Sequence, residues 1–283
     1  MASLDTFIKR HDYLVCVDSD GCAMDTMDIK HHRCFGPCMV AEWGLQAWQD
    51  TILPRWNDIN LYTMTRGINR FQGLRVALTE VDATLCPIEG VNTLAHWVDT
   101  SAALSNEALE QAVAADPAAT VLQKALAWSR AVNAAIRALP QETVRPFPLA
   151  REALAFAHER ADVAIVSSAN AGAVQEEWSR HGLLPHTDIV LAQDAGSKAA
   201  CIAALLAKGY TPDRVLMCGD APGDRQAALK NGVYYYPILV RRERESWQEF
   251  MDTGLDRLLA GTYGGAYQEE KTQAFLANLG GTP

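Results

Sequence analysis

The amino-acid sequence predicts an α/β protein, a doubly wound parallel sheet into which a mostly helical second domain is inserted. Three observations predict it. Short continuous apolar runs alternate with helix-period segments through the second half of the chain, the pattern of parallel strands covered on both faces and joined by right-handed crossovers. One further run of this kind stands alone near the N-terminus and ends in an aspartate. Between it and the others lies a long stretch without the alternation, which reads as helix after helix. The expected division is an α/β core of residues 1–26 and 146–283 and a helical cap of residues 27–145.

Taken in order, the first apolar run is 13–17 (YLVCV), followed by Asp18. Similar runs stand at 163–166 (VAIV), 189–191 (IVL) and 215–218 (VLMC), and the aromatic, β-branched stretch 233–239 (VYYYPIL) reads as a further strand despite Pro237. Helices are expected at 149–160, 173–181, 198–208 and 225–231, where apolar residues recur at three-to-four spacing and several segments end before glycine. Inside the insertion the helical spacing is clearest over 106–139, which is rich in alanine. The insertion leaves the sheet just after Asp18 and returns near Pro146, where strand ends open onto the crevice used for ligands; that position suits a lid. After Val240, 246–259 and 268–279 read as two more helices that carry no recognisable chemistry; they could pack the core or pair subunits in a homo-oligomer.

Composition narrows the function. Hydrophobic residues make up 49% and charged residues 21%, as in ordinary globular proteins, and no apolar run approaches membrane-spanning length. The start, MASLDTFIKR, places Asp5 where a secretory signal would be apolar, so a cytoplasmic protein is expected. Acids outnumber bases by 34 − 25 = 9, with the bases scattered, so a nucleic-acid partner is not expected. The seven cysteines, odd in number and several within apolar runs, suit buried reduced thiols in the same compartment.

Four local features carry chemistry. Asp18-Ser19-Asp20-Gly21 closes the first strand; a calcium loop would need an acid or Asn and then Gly where Cys22 and Ala23 stand, which leaves a capped turn or a catalytic pair. The second strand runs into Ser167-Ser168-Ala169-Asn170, a hydroxyl and successive N–H groups at a helix start, either an N-cap or an anion site. Gly196-Ser197-Lys198 puts a lysine where the helix dipole opposes it, which an anion nearby would explain as well as simple solvation would. Gly219-Asp220-Ala221-Pro222-Gly223-Asp224 sets one acid at a strand end and another at a helix start, where an acid also serves the dipole alone. All four fall at the C-terminal ends of separate strands, the edge of a parallel sheet where ligands collect.

In this order, these motifs resemble those of the haloacid dehalogenase (HAD) superfamily of hydrolases, over roughly residues 11–25 and 146–240. The resemblance implies a Rossmann-like core, Asp18 as nucleophile, Asp20 as general acid and base, Ser167, Ser168 and Lys198 as phosphate-holding groups, and Asp220 as a magnesium ligand. Phosphoryl transfer asks mainly for positioning and charge neutralisation. An aspartyl-phosphate would split it into two easier steps, with Asp20 moving the proton. A magnesium ion bound by the carboxylates of Asp18 and Asp220 and the carbonyl of Asp20 would relieve the repulsion among acids, while Asp224 would orient a metal-bound water or Lys198. Cys22 stands where the family usually has Thr, a small-for-small change. The expected function is a magnesium-dependent phosphatase acting on a small phosphorylated metabolite. The alternatives are a phosphoryl-transferring mutase, a phosphonate-cleaving enzyme, which would need Lys30 of the cap as a Schiff base, and a catalytically silent binding protein.

Substrate choice is expected in the cap, where Lys30, Arg66 and Arg70 are candidate donors to the substrate. His31, His32, Cys34 and Cys38 lack the spacing of a zinc finger and a second ligand pair. Trp43, Trp48 and Trp56 with Met39 and Met64 read as core.

Overall fold

The structure is a computed structural model and describes residues 3–281. The chain forms two compact units: one combines the residues up to Met27 with those from Val144 onward, and the other is Asp28–Thr143. The first unit carries the strands β1 (Leu14–Val17), β2 (Met24–Asp25), β3 (Arg145–Pro146), β4 (Asp162–Val166), β5 (Ile189–Leu191), β6 (Val215–Gly219) and β7 (Tyr234–Pro237). Five of them make a wholly parallel sheet in the order β5-β4-β1-β6-β7. This is the doubly wound sheet expected. Every residue of β1, β4 and β6 is buried, which is why these strands read as continuous apolar runs rather than as alternations.

β2 and β3 add a short ribbon to those expected strands. They pair antiparallel, Met24 opposite Pro146, where the chain leaves the sheet unit and where it returns. Two residues on each side are too few to display a period.

The α-helices α1 (Met27–Lys30), α2 (Gly36–Trp43), α3 (Gln49–Asn57), α4 (Arg70–Thr84), α5 (Val91–Thr100), α6 (Asn106–Ala115) and α7 (Thr120–Arg137) lie in the intervening stretch. Where 106–139 reads as one alanine-rich helical stretch, the structure breaks it at Asp116-Pro117, because proline cannot continue the hydrogen-bond ladder. Asn69 and Gln72 cap α4 reciprocally. The core of this unit is aromatic: Phe71 meets Trp97 edge-on at 5.2 Å, and Trp56 meets Trp128 edge-on at 6.0 Å. Trp56 and Met39 are fully buried, as expected, with Trp43 and Trp48 packed at the margin.

Beyond β3 follow α8 (Ala150–His158), α9 (Ala171–Arg180), α10 (Lys198–Leu206), α11 (Pro222–Asn231), α12 (Glu243–Glu249), α13 (Leu255–Leu259) and α14 (Ala266–Asn278). The helix expected at 225–231 begins earlier, at Pro222, whose missing N–H costs nothing at a helix start. α12 and α13 run together through a widened turn, Phe250–Gly254, in place of one regular helix over 246–259. There a side chain on Gly254 would come within 3.0 Å of the Tyr236 ring. These C-terminal helices pack the core: Trp247, Phe250, Leu255 and Leu258 are buried in it, and the Tyr236 hydroxyl donates to the Ser246 carbonyl at 2.7 Å. No helix among the described residues is long and apolar enough to cross a membrane, and all seven cysteines are free.

Candidate active site

The site is built at the C-terminal ends of β4, β1 and β6, three neighbouring strands. β1 continues one residue beyond its last ladder position, with the Asp18 N–H donating to the Cys218 carbonyl at 3.0 Å, and this fixes Asp18 at the sheet edge with 5% of its surface exposed. The backbone then turns sharply through Gly21 at φ 84°, a conformation that side chains oppose. The Ser19 carbonyl closes the turn by accepting from the N–H groups of Cys22, Ala23 and Met24 at 3.4, 3.1 and 2.8 Å. Asp20 is half-buried, and its Oδ1 accepts from the Thr26 hydroxyl at 2.5 Å.

Ser167 directly follows β4, with its N–H on the Leu191 carbonyl at 2.9 Å and its Oγ accepting from the Ala169 N–H at 3.1 Å. It is buried, whereas Ser168 is exposed. Asn170, not a serine, caps α9.

Asp220 and Asp224 are fully buried. The Asp224 Oδ2 accepts the Ala221 N–H at 3.1 Å, and its Oδ1 accepts from Lys198 Nζ at 2.5 Å. Lys198 opens α10, and Nζ also meets Asp18 Oδ2 at 2.8 Å. Two carboxylates thus account for a lysine at a helix N-terminus, where the dipole alone would disfavour it. With both its oxygens engaged, Asp224 serves to hold Lys198. Gly219 makes this possible: a Cβ there would lie 2.3 to 2.4 Å from the Asp224 side chain.

Among the described residues, Asp18, Asp220 and Asp224 form the one group of potential metal-ligating side chains, with carboxylate oxygens within 4.8 Å of one another. Burial pushes the Asp18 carboxyl well above the usual carboxylate range; Lys198 opposes this, while Asp224 and Asp220 add to it. Burial alone would lower Lys198, but Asp18 and Asp224 hold it above its usual value, so it stays charged. The carboxylates of Asp18, Asp220 and Asp224 gather around one ammonium, and such a cluster of hard oxygen donors fits a divalent cation such as magnesium. Cys22 is buried, and desolvation pushes its thiol well up, which keeps it neutral.

The structure therefore brings Asp18, Lys198, Asp220 and Asp224 together, with Ser167 on the adjoining strand end and Asp20 one turn away. Nothing local in the sequence marks Thr26, and the Gly-Asp motif that contains Gly219 gives no sign of its close approach to the Asp224 side chain. The three cap candidates lie in the helical unit. Lys30 ends α1 and is half-buried. Arg66 is only 2% exposed, and its guanidinium donates to the Leu61 carbonyl at 2.8 Å. Arg70 likewise donates to Ser129 Oγ at 3.0 Å and Asn133 Oδ1 at 2.7 Å and lies over the Phe35 ring, so its donors serve packing between helices. His31 accepts from the Trp56 indole at 3.1 Å and stacks on Phe35, a core role in place of a metal ligand.

Residues 96–237, half of the chain, match the family model described as haloacid dehalogenase-like hydrolase. The match includes Ser167, Lys198, Asp220 and Asp224 and stops short of Asp18 and Asp20. Among solved structures, the chain is similar to a Thermotoga maritima protein assigned as a β-phosphoglucomutase, at 15% identity and a TM-score of 0.50, over 86% of this chain and 99% of that one. It is also similar to a Lactobacillus delbrueckii subsp. bulgaricus protein assigned as a phosphoglycolate phosphatase, at 13% identity and a TM-score of 0.50, over 80% of this chain and 85% of that one. At these identities the likeness is one of fold. No protein with a curated description matches the chain.

Proposed function

Because the chain belongs to the haloacid dehalogenase-like hydrolases, we propose that it is a magnesium-dependent phosphatase acting on a small phosphorylated metabolite through an aspartyl-phosphate. The observation that carries this reading is Lys198 Nζ shared between Asp18 at the end of β1 and Asp224 in the first turn of α11, beside the buried Asp220 at the end of β6.

Asp18 attacks phosphorus, its carboxylate oxygen forming the new bond as the ester oxygen leaves. Asp20, steadied by Thr26, gives the leaving oxygen a proton and later takes one from the water that cleaves the aspartyl-phosphate. Lys198 and the Ser167 hydroxyl hold the phosphoryl oxygens in line with Asp18. Asp224 keeps Lys198 aimed at the site. The carboxylates of Asp18 and Asp220 and the carbonyl of Asp20 would hold magnesium, which when bound neutralises charge on the phosphoryl oxygens. The free cysteines support a reducing, cytoplasmic setting.

The test is phosphate release from a chromogenic phosphate ester and a panel of phosphorylated metabolites, with magnesium and with chelator. Release that needs magnesium and is lost in Asp18→Asn with folding intact is the expected outcome. Release that persists in Asp18→Asn would refute the assignment of the nucleophile. An isomerised product without free phosphate would identify a mutase instead.

A further inference from the structure

We propose that Trp178 is a positioning residue, which pins the loop carrying Asp18 and Asp20 through a hydrogen bond from its indole N–H to the Ser19 hydroxyl. The inference rests on the phosphatase reading for its kinetic consequence, not for the pinning itself.

Ser19 sits between the two aspartates, in the turn that follows β1. Its side chain is 0% exposed, so it points into the protein while Asp18 and Asp20 serve the site. There its Oγ accepts from Trp178 Nε1 at 2.9 Å, across 159 residues of sequence. An indole offers one donor and no acceptor, and Trp178 is itself fully buried, so the pair has no alternative arrangement without stranding a buried N–H. The same residue's carbonyl gathers the amides of Cys22, Ala23 and Met24. Immobilising Ser19 therefore fixes the whole turn. A second indole, Trp247 Nε1, donates to the Cys22 carbonyl at 3.2 Å and bolts the far side.

The turn needs this. Three N–H groups share one carbonyl, one of them at 3.4 Å, and Asp18 must stay in place amid the repulsion of Asp220 and Asp224. The rigid groups come from α9 and α12, two helices of the sheet unit. Trp178 therefore matters to Asp18 and Asp20 without touching substrate.

The experiment compares wild type with Trp178→Phe, which keeps a buried ring and removes the donor, and with Ser19→Ala, which removes the acceptor. Val174→Ala, a buried apolar position one turn earlier on the same helix that offers no hydrogen bond to the loop, controls for lost packing. Amide exchange over residues 19–24 is followed alongside kcat and KM for the chromogenic ester. Expected in both loop variants are loop amides exchanging about tenfold faster and kcat lower by about 10- to 100-fold, at nearly constant KM. The double variant should be little worse than either single one, since both delete one bond. Val174→Ala should alter stability and leave the loop amides and kcat near wild type. Loop exchange unchanged in Trp178→Phe and Ser19→Ala would overturn the pinning. Faster exchange with kcat unaltered, or equal losses in Val174→Ala, would overturn the positioning role. A wild type that releases no phosphate overturns the phosphatase reading together with the kinetic role, and the exchange data still decide the pinning.

Discussion

Gly219→Ala should disable the site without altering any charged group. The added Cβ would stand 2.3 to 2.4 Å from Cγ, Cβ and Oδ2 of Asp224, more than 1 Å inside ordinary contact. Asp224 cannot swing away freely, because Oδ2 holds the Ala221 N–H and Oδ1 holds Lys198. Its own Cβ is among the clashing atoms, so a rotamer change alone relieves nothing. Either the start of α11 moves or the carboxylate lets go of Lys198. Overpacking of this kind costs about 1–3 kcal/mol. Losing a charge-assisted hydrogen bond adds about 1.5–3 kcal/mol. The sum is about 2.5–6 kcal/mol of stability, with Lys198 released from one of its two anchors. Gly223, four residues on and inside α11, has nothing within 4 Å of a built Cβ, so Gly223→Ala should stabilise by about 0.5–1 kcal/mol. Urea unfolding and phosphate release on the two variants make the assay. Gly219→Ala as stable and as active as wild type would refute the reasoning, since nothing else near Asp224 could absorb the clash.

Asp162, at the other edge of the sheet, accepts from the N–H groups of Arg10 and His11 at 2.9 and 3.0 Å and from the Tyr210 hydroxyl; burial alone would raise its carboxyl, but these bonds hold it below the usual value. The depressed value makes its contribution present above the unfolded value of about 3.9 and lost as pH falls through the lower folded one. Asp162→Asn should therefore melt earlier than wild type at neutral pH, by a margin that closes towards pH 3 in a series of thermal melts. Magnesium should raise the melting temperature of wild type in proportion to the logarithm of its concentration above Kd, and Asp220→Asn should lose that shift in the same scan. Trp128→Ala should cost about 3–5 kcal/mol, because its buried ring packs against Trp56 and Phe71 and its indole donates to the Phe35 carbonyl at 3.1 Å. Limited proteolysis should then cut first within residues 28–143.

By itself, the sequence determined the α/β class, the five parallel strands and the edge at which Asp18, Ser167, Lys198, Asp220 and Asp224 collect. Strands buried on both faces write their burial into consecutive residues, and the connections of a parallel sheet put every strand's end on one side. Those signals are local and survive without knowing who touches whom. Partnerships across the chain were decided only by the tertiary structure. Lys198 spanning Asp18 and Asp224, Thr26 on Asp20, and Trp178 on Ser19 are contacts between residues whose own neighbourhoods read as ordinary caps, turns and core. Arg70 makes the same point in reverse: in a polar run that reads as solvated or ligand-facing, its guanidinium donates to side-chain oxygens of Ser129 and Asn133 on α7. Burial and pairing depend on atoms brought close by folding, and no period or spacing in one chain encodes them.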